Sequence, residues 1–177
     1  MYSATALQEV VYKEFPDLHQ QEPDWRVLYE EKKRAYTELF EEQGVELMPG
    51  VEGLLEQLAE KGKKRCVVTH SAKTQVDAIR EMLPPLKSIP CWLTREDYSE
   101  PKPSSECYLK AIELYGKEGD QVIGFEDSPR GLKALIGSGA KSVLLSELIS
   151  REEAASFTSK GVTVSSSFSS LTKKWDG

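Results

Sequence analysis

The chain has 177 residues, 39% of them apolar and 29% charged, a net charge of −6 and an isoelectric point of about 5.1. These values are ordinary for a globular protein, and the acidic balance argues against nucleic acid or an anionic membrane as the main partner. No apolar run approaches the ~18 residues of a membrane span, and the start MYSATALQEVVYKEF lacks the basic stretch and apolar block of a secretory leader.

Near the start, Ala4, Leu7, Val10, Val11 and Phe15 fall at helical spacing, and Pro16-Asp17 ends that run. A second helix starts near Asp24, a cap residue, with Trp25, Leu28, Tyr29, Tyr36, Leu39 and Phe40 on one face. Lys32 interrupts that face, either as a snorkelling side chain or as a lysine aimed at a ligand. MPGVEGLLEQLAEKG reads as a third helix. Beyond it, the short β-rich runs RCVVT, IPCWL, QVIGF and KSVLL alternate with the helical stretches SAKTQVDAIREML, SSECYLKAIELYG and PRGLKALIGSG. REEAASFTSKG adds a helix, GVTV a last strand and SSLTKKW a terminal helical turn. Such alternation predicts βα units and a parallel sheet covered on both faces. Right-handed crossovers then bring the C-terminal ends of the strands to one edge, where ligands bind in such folds.

The residues just past each strand are therefore informative. After RCVVT come Thr69, His70 and Ser71. A hydroxyl beside the free N–H groups of a helix start suits a phosphate, and it also suits a plain helix cap. After IPCWL comes Glu100-Pro101-Lys102-Pro103. Two prolines fix the backbone around Lys102, which is either a solvated side chain or a point charge held toward phosphate. QVIGF ends in Glu126-Asp127. One acid satisfies a helix N-terminus; two adjacent acids suit Mg²⁺, which takes one or two carboxylates together with water and phosphate oxygens. Three strands thus deliver a hydroxyl, a lysine and a carboxylate pair to one edge, consistent with a site for a phosphate ester and Mg²⁺. Lys32, Lys33, Arg34, Lys73 and Arg130 are read as solvated charges, with contact to an anionic substrate as the alternative. Cys66, Cys91 and Cys107 are odd in number and lack CxxC spacing. They read as reduced thiols of a cytoplasmic protein, not as a zinc site or disulfide frame.

VVTHS, KPSSECY and GFEDSPRGLKALIGSG, in that order, resemble the second, third and fourth motifs of the haloacid dehalogenase-like (HAD) phosphohydrolase superfamily. Within it the chain is most similar to the phosphoglycolate phosphatase and β-phosphoglucomutase-like branch. The resemblance runs from about residue 45 to 145, and EDSPRG is its most specific piece. It implies an α/β fold: a Rossmann-like parallel sheet with helices on both faces, plus a partial helical cap. Residues 1–46 would be the incomplete cap and 47–177 the α/β core. By the same resemblance Thr69, with His70 and Ser71, binds the transferring phosphoryl group. Lys102 neutralises nucleophile and phosphate, Asp127 ligates Mg²⁺, and Glu126 is a ligand or a partner behind it. Ser128 and Gly131 shape the turn into the helix. His70, Pro101 and Ser105-Glu106 depart from the usual pattern.

The family's first motif, an apolar strand ending in Asp-x-Asp, is absent: no Asp-x-Asp occurs in the 177 residues. In the family that strand lies centrally, between the strands that here are RCVVT and QVIGF. Its absence leaves two strand edges facing a gap. Buried unpaired backbone groups cost ~1–3 kcal/mol each, so four to six of them approach the ~5–15 kcal/mol stability of a domain. The chain is expected to be marginal alone and to lack turnover. A truncated form missing roughly 25–40 residues is the economical explanation, and a naturally inactive relative is the other. The functions in contention are a Mg²⁺-dependent phosphatase of a small phosphorylated metabolite, a phosphomutase, and a non-catalytic binding or regulatory protein. A monomer or weak dimer is expected.

Overall fold

In a computed structural model, residues 4–22 and 24–172 are described, without the side chains at 4–7, 36, 41 and 172. The predicted helix-face residues Ala4, Leu7 and Tyr36 therefore have side chains outside the described set, as does the predicted helical end at Lys173–Trp175. The chain divides into two units, Met1–Val45 and Glu46–Gly177.

The first unit is helical: α1 (Ala4–Glu14), α2 (Pro16–Gln21) and α3 (Trp25–Gln43). Pro16 ends α1, as its sequence predicts, but it also opens α2, because a missing N–H is harmless at the first helical position. The Tyr12 ring stacks on His19 at 4.2 Å and meets Trp25 edge-on at 5.6 Å. Its hydroxyl donates to the Glu22 carbonyl at 2.8 Å. These contacts fold the short helices against the start of α3. Asp24 caps α3 by accepting the Arg26 N–H at 3.0 Å. Lys32 is exposed, with its ammonium 5.9 Å from the Tyr29 ring centre.

The second unit runs α4 (Val51–Glu60), β1 (Cys66–Val68), α5 (Lys73–Met82), β2 (Cys91–Leu93), α6 (Glu106–Tyr115), β3 (Ile123–Glu126), α7 (Pro129–Gly137), β4 (Lys141–Leu145), α8 (Arg151–Thr158), β5 (Thr163–Ser165) and α9 (Ser169–Thr172). Short 3₁₀ turns at Pro84–Ser88 and Arg95–Asp97 lie on either side of β2. Every strand pairing is parallel, as the alternation of strands and helices requires. The strands form two sheets. β1 pairs with β2, placing Cys66 opposite Cys91 and Val68 opposite Leu93, while β3, β4 and β5 form a three-stranded sheet with β4 central. Among the described residues, β1 has a partner on one side only, and so does β3.

β4 shows why this sheet is covered on both faces. Ser142, Val143, Leu144 and Leu145 are all buried, the pattern of a strand with no solvent side. Leu144 packs with Leu132 of α7 and Val162, beside Phe157 of α8. Val143 and Leu145, on the opposite face, pack with Leu171 of α9, Phe125 and Phe168. A third cluster joins Cys91 and Leu93 to Ala111 of α6, with Cys66 and Val68 against it. Fully burying a side chain such as Leu132 contributes ~1.5–3 kcal/mol.

Candidate active site

The loop from β2 to α6 is anchored before it delivers its lysine. The Glu106 carboxylate accepts the backbone N–H groups of Ser99 at 2.8 Å and Glu100 at 2.6 Å. Those two bonds, by favouring the ionised form, hold this carboxyl below its usual range. The Ser104 N–H bonds to the Pro101 carbonyl at 3.1 Å. Arg130 of α7 donates its Nε–H to the Lys102 carbonyl. The guanidinium read as a surface charge thus ties the proline-flanked segment to α7.

Lys102 Nζ then points inward. It donates to the Val68 carbonyl at 3.2 Å, to the Tyr108 hydroxyl at 3.0 Å and to Glu126 Oε1 at 2.5 Å. The Lys102 and Glu126 side chains retain 15% and 7% of their exposure, so the pair is screened little by solvent. Tyr108 donates its hydroxyl proton to the same Glu126 oxygen. Burial first, and the Glu126 charge second, push the Tyr108 phenol well above its ordinary value, which keeps it a proton donor. Gly131 sits against the Glu126 carboxylate so closely that a Cβ there would overlap it. The Gly131 N–H caps α7 through Ser128 Oγ at 3.1 Å.

Thr69 extends the β1–β2 ladder by donating its N–H to the Leu93 carbonyl at 2.9 Å. Its hydroxyl oxygen accepts the Ser71 N–H at 3.1 Å. The helix cap proper is Ala72, four residues before Val76, with Gln75 Oε1 accepting the Ala72 N–H at 3.4 Å. Thr69 is therefore not the cap, and its hydroxyl stabilises the turn that leads to it. Tyr98 donates its hydroxyl to the Thr69 carbonyl at 3.1 Å, which leaves the His70 Nδ1–H to donate to the phenol oxygen at 3.1 Å. Burial pushes the Tyr98 phenol up to about 12. Burial, with nearby positive charge, pushes the His70 imidazole down.

Of the residues singled out in the sequence, Lys102 and Glu126 are in direct contact. Thr69 comes directly after Val68, whose carbonyl takes the same lysine. Asp127 is exposed, next in the chain to the buried Glu126. Lys33 and Lys73 pair with Glu30 and Asp77, each at 2.6 Å. The sequence reading missed Tyr108. Its position in the first turn of α6, six residues after Lys102, was the available signal, but a tyrosine there reads equally as core. Among the described residues there is no group of three or more His, Cys, Asp or Glu side chains able to hold a metal. Asp127 suits Mg²⁺ as a carboxylate facing solvent, while Glu126 has one oxygen committed to Lys102 and Tyr108. That is a partial donor set, and the one or two protein carboxylates Mg²⁺ ordinarily takes match it.

Residues 4–145 match the haloacid dehalogenase-like hydrolase family. A haloacid dehalogenase-like hydrolase domain-containing protein of Arabidopsis thaliana is 30% identical over 116 residues, covering 64% of this chain and 37% of that protein. A phosphorylated carbohydrates phosphatase of Thermotoga maritima is 28% identical over 116 residues, covering 66% of this chain and 51% of that protein. The chain thus spans about half or less of the length of these relatives. The crystal structure of a β-phosphoglucomutase from Clostridium difficile superposes with a TM-score of 0.66 at 21% identity, covering 95% of this chain and 72% of that one, a likeness of fold. With the match extending over most of its length and the motif residues meeting across two strands, the chain belongs to the haloacid dehalogenase-like hydrolase family.

Proposed function

We propose that this chain is the C-terminal part of a Mg²⁺-dependent phosphatase acting on a small phosphorylated metabolite, and that it has no turnover by itself. The observation that carries this reading is Lys102 Nζ bridging the Val68 carbonyl at the end of β1 and the Glu126 carboxylate at the end of β3. A cation held between two strand ends, beside a solvent-facing carboxylate, provides opposite charges for a phosphate and a metal. Residues 47–177 serve as the catalytic core and 1–46 as part of a cap.

In this reading Asp127 is the metal ligand, with Glu126 behind it fixing Lys102. Mg²⁺, when bound, supplies charge to offset the phosphate oxygens. Lys102 neutralises the phosphate from the other side, and the Thr69 hydroxyl, its oxygen held by the Ser71 N–H, donates its proton to orient it, with His70 and Ser71 at the rim. The attacking carboxylate comes from a strand ending in Asp-x-Asp, seated between β1 and β3. The similar proteins, a phosphorylated carbohydrates phosphatase and a β-phosphoglucomutase, support phosphate-ester chemistry, and a phosphomutase would use the same residues.

A phosphomonoester assay with Mg²⁺ tests the reading. The 177-residue chain is expected to give no turnover, and the chain joined to an upstream Asp-x-Asp strand is expected to give activity. Asp127→Asn is expected to abolish that activity and to remove the heat of Mg²⁺ binding in calorimetry. Activity of the chain alone, lost on Asp127→Ala, would refute the inactivity. The absence of Asp-x-Asp favours a second reading, a non-catalytic binding protein. Coding sequence upstream of Met1 without such a strand would select it.

A further inference from the structure

The two sulfur atoms of Cys66 and Cys91 are 2.7 Å apart, one thiol donating its hydrogen to the other. Register produces the contact: Cys66 and Cys91 are directly opposite in the β1–β2 pair, with Val67 opposite Trp92 next along. Adjacent strands lie within the separation a disulfide spans, ~4.4–6.8 Å between Cα atoms. Both thiols are free, and the third cysteine, Cys107, is fully buried and free. The pair differs in access, since Cys91 keeps 1% of its exposure while Cys66 is half-buried.

We propose that Cys66 and Cys91 form a reversible thiol–disulfide site, oxidised by a small hydroperoxide, that staples β1 to β2. Cys66 is the sulfur an oxidant meets first. Its thiolate attacks one peroxide oxygen, giving a sulfenic acid at Cys66 and releasing water or an alcohol as the O–O bond breaks. The Cys91 thiol then attacks the Cys66 sulfur, the S–O bond breaks, and a second water leaves. Two thiols lose two protons and two electrons, and the peroxide takes them up. A dithiol reduces the bond back to two thiols and itself becomes a disulfide. Burial pushes the Cys66 thiol up, so the first step is slow at neutral pH and faster in alkali.

The bond closes the segment containing α5, and β1 leads directly into Thr69. Closing a loop of this length limits the unfolded chain, and the linked form is expected to melt about 5–10 °C higher. The proposal is independent of the phosphatase reading.

The test uses the unmodified chain, treated with hydrogen peroxide or left reduced, then alkylated, digested with trypsin and weighed by mass spectrometry. The expected product joins peptide 66–73 to peptide 88–95 with loss of two hydrogens, and disappears with dithiothreitol. A parallel sample oxidised in denaturant reports random pairing among the three cysteines. Three results would overturn the proposal: both thiols staying fully alkylatable after peroxide, native links as mixed with Cys107 as those formed in denaturant, or a linked chain that melts no higher than the reduced one.

Discussion

Lys102 and Glu126 form a buried ion pair at 2.5 Å that connects two sheets sharing no backbone pairing. Removing one member leaves the other charged and without its partner. Lys102→Met is expected to destabilise the second unit by about 3–5 kcal/mol, read as a shift in the urea midpoint. Adding Glu126→Gln should recover a substantial part of that loss. A double variant as unstable as the sum of the singles would show that the two side chains are not coupled.

Tyr108→Phe removes the second donor to the same carboxylate oxygen with no change of volume. The expected loss is about 1–3 kcal/mol, because the acceptor is charged and buried. In Lys102→Met the same substitution should cost more than in the parent chain, since Tyr108 then donates to that oxygen without the lysine beside it. Equal costs in the two backgrounds, measured by urea unfolding, would argue that the hydroxyl acts alone.

Gly131→Ala introduces a methyl group where the Glu126 carboxylate already lies. The carboxylate has to move, and with it the lysine pairing. A loss of about 1–3 kcal/mol is expected, with no loss for Gly53→Ala, since open space surrounds Gly53 inside α4 and alanine favours the helix. Thermal unfolding of Gly131→Ala that matches the parent would show that the carboxylate has room to spare.

His70 gives a pH dependence of definite sign. Burial, and the charges of Arg130, Arg95 and Lys102 facing it, hold its imidazole below the usual 6.5, while its Nδ1–H is committed to Tyr98. As pH falls through 6.5 the unfolded chain takes up a proton that the folded chain refuses. The contribution is therefore complete above 6.5 and is lost as pH falls toward the folded value. The NMR titration midpoint of His70, assigned with His70→Gln, should lie below 6.5. A midpoint above 6.5 would reverse the sign.

The strand–helix alternation was legible because each element carries its own period, and β4 reads as buried from its unbroken apolar run. Lys102 was legible through its flanking prolines and the carboxylate pair through its place at a strand end. Arg130 and Tyr108 were not. An arginine in the first turn of a helix looks solvated until a loop from another βα unit is placed beside it, and Tyr108 has the appearance of a core residue until two charges meet its hydroxyl. The separate fates of Glu126 and Asp127, one buried against a lysine and one facing solvent, arise where β3 ends and successive side chains leave to opposite sides, before α7 begins at Pro129. The Cys66–Cys91 contact was hidden for a related reason: spacing in sequence says nothing of register across a parallel pair.

The one-sided pairing of β1 and of β3 bears on how this polypeptide behaves in a crowded solution. A strand edge with no neighbouring strand, even where Lys102 takes the Val68 carbonyl, is a template for any strand that drifts past, including one from an identical molecule. Kept dilute, the chain should stay dispersed; concentrated, it should cloud, with turbidity growing faster than in proportion to the amount dissolved.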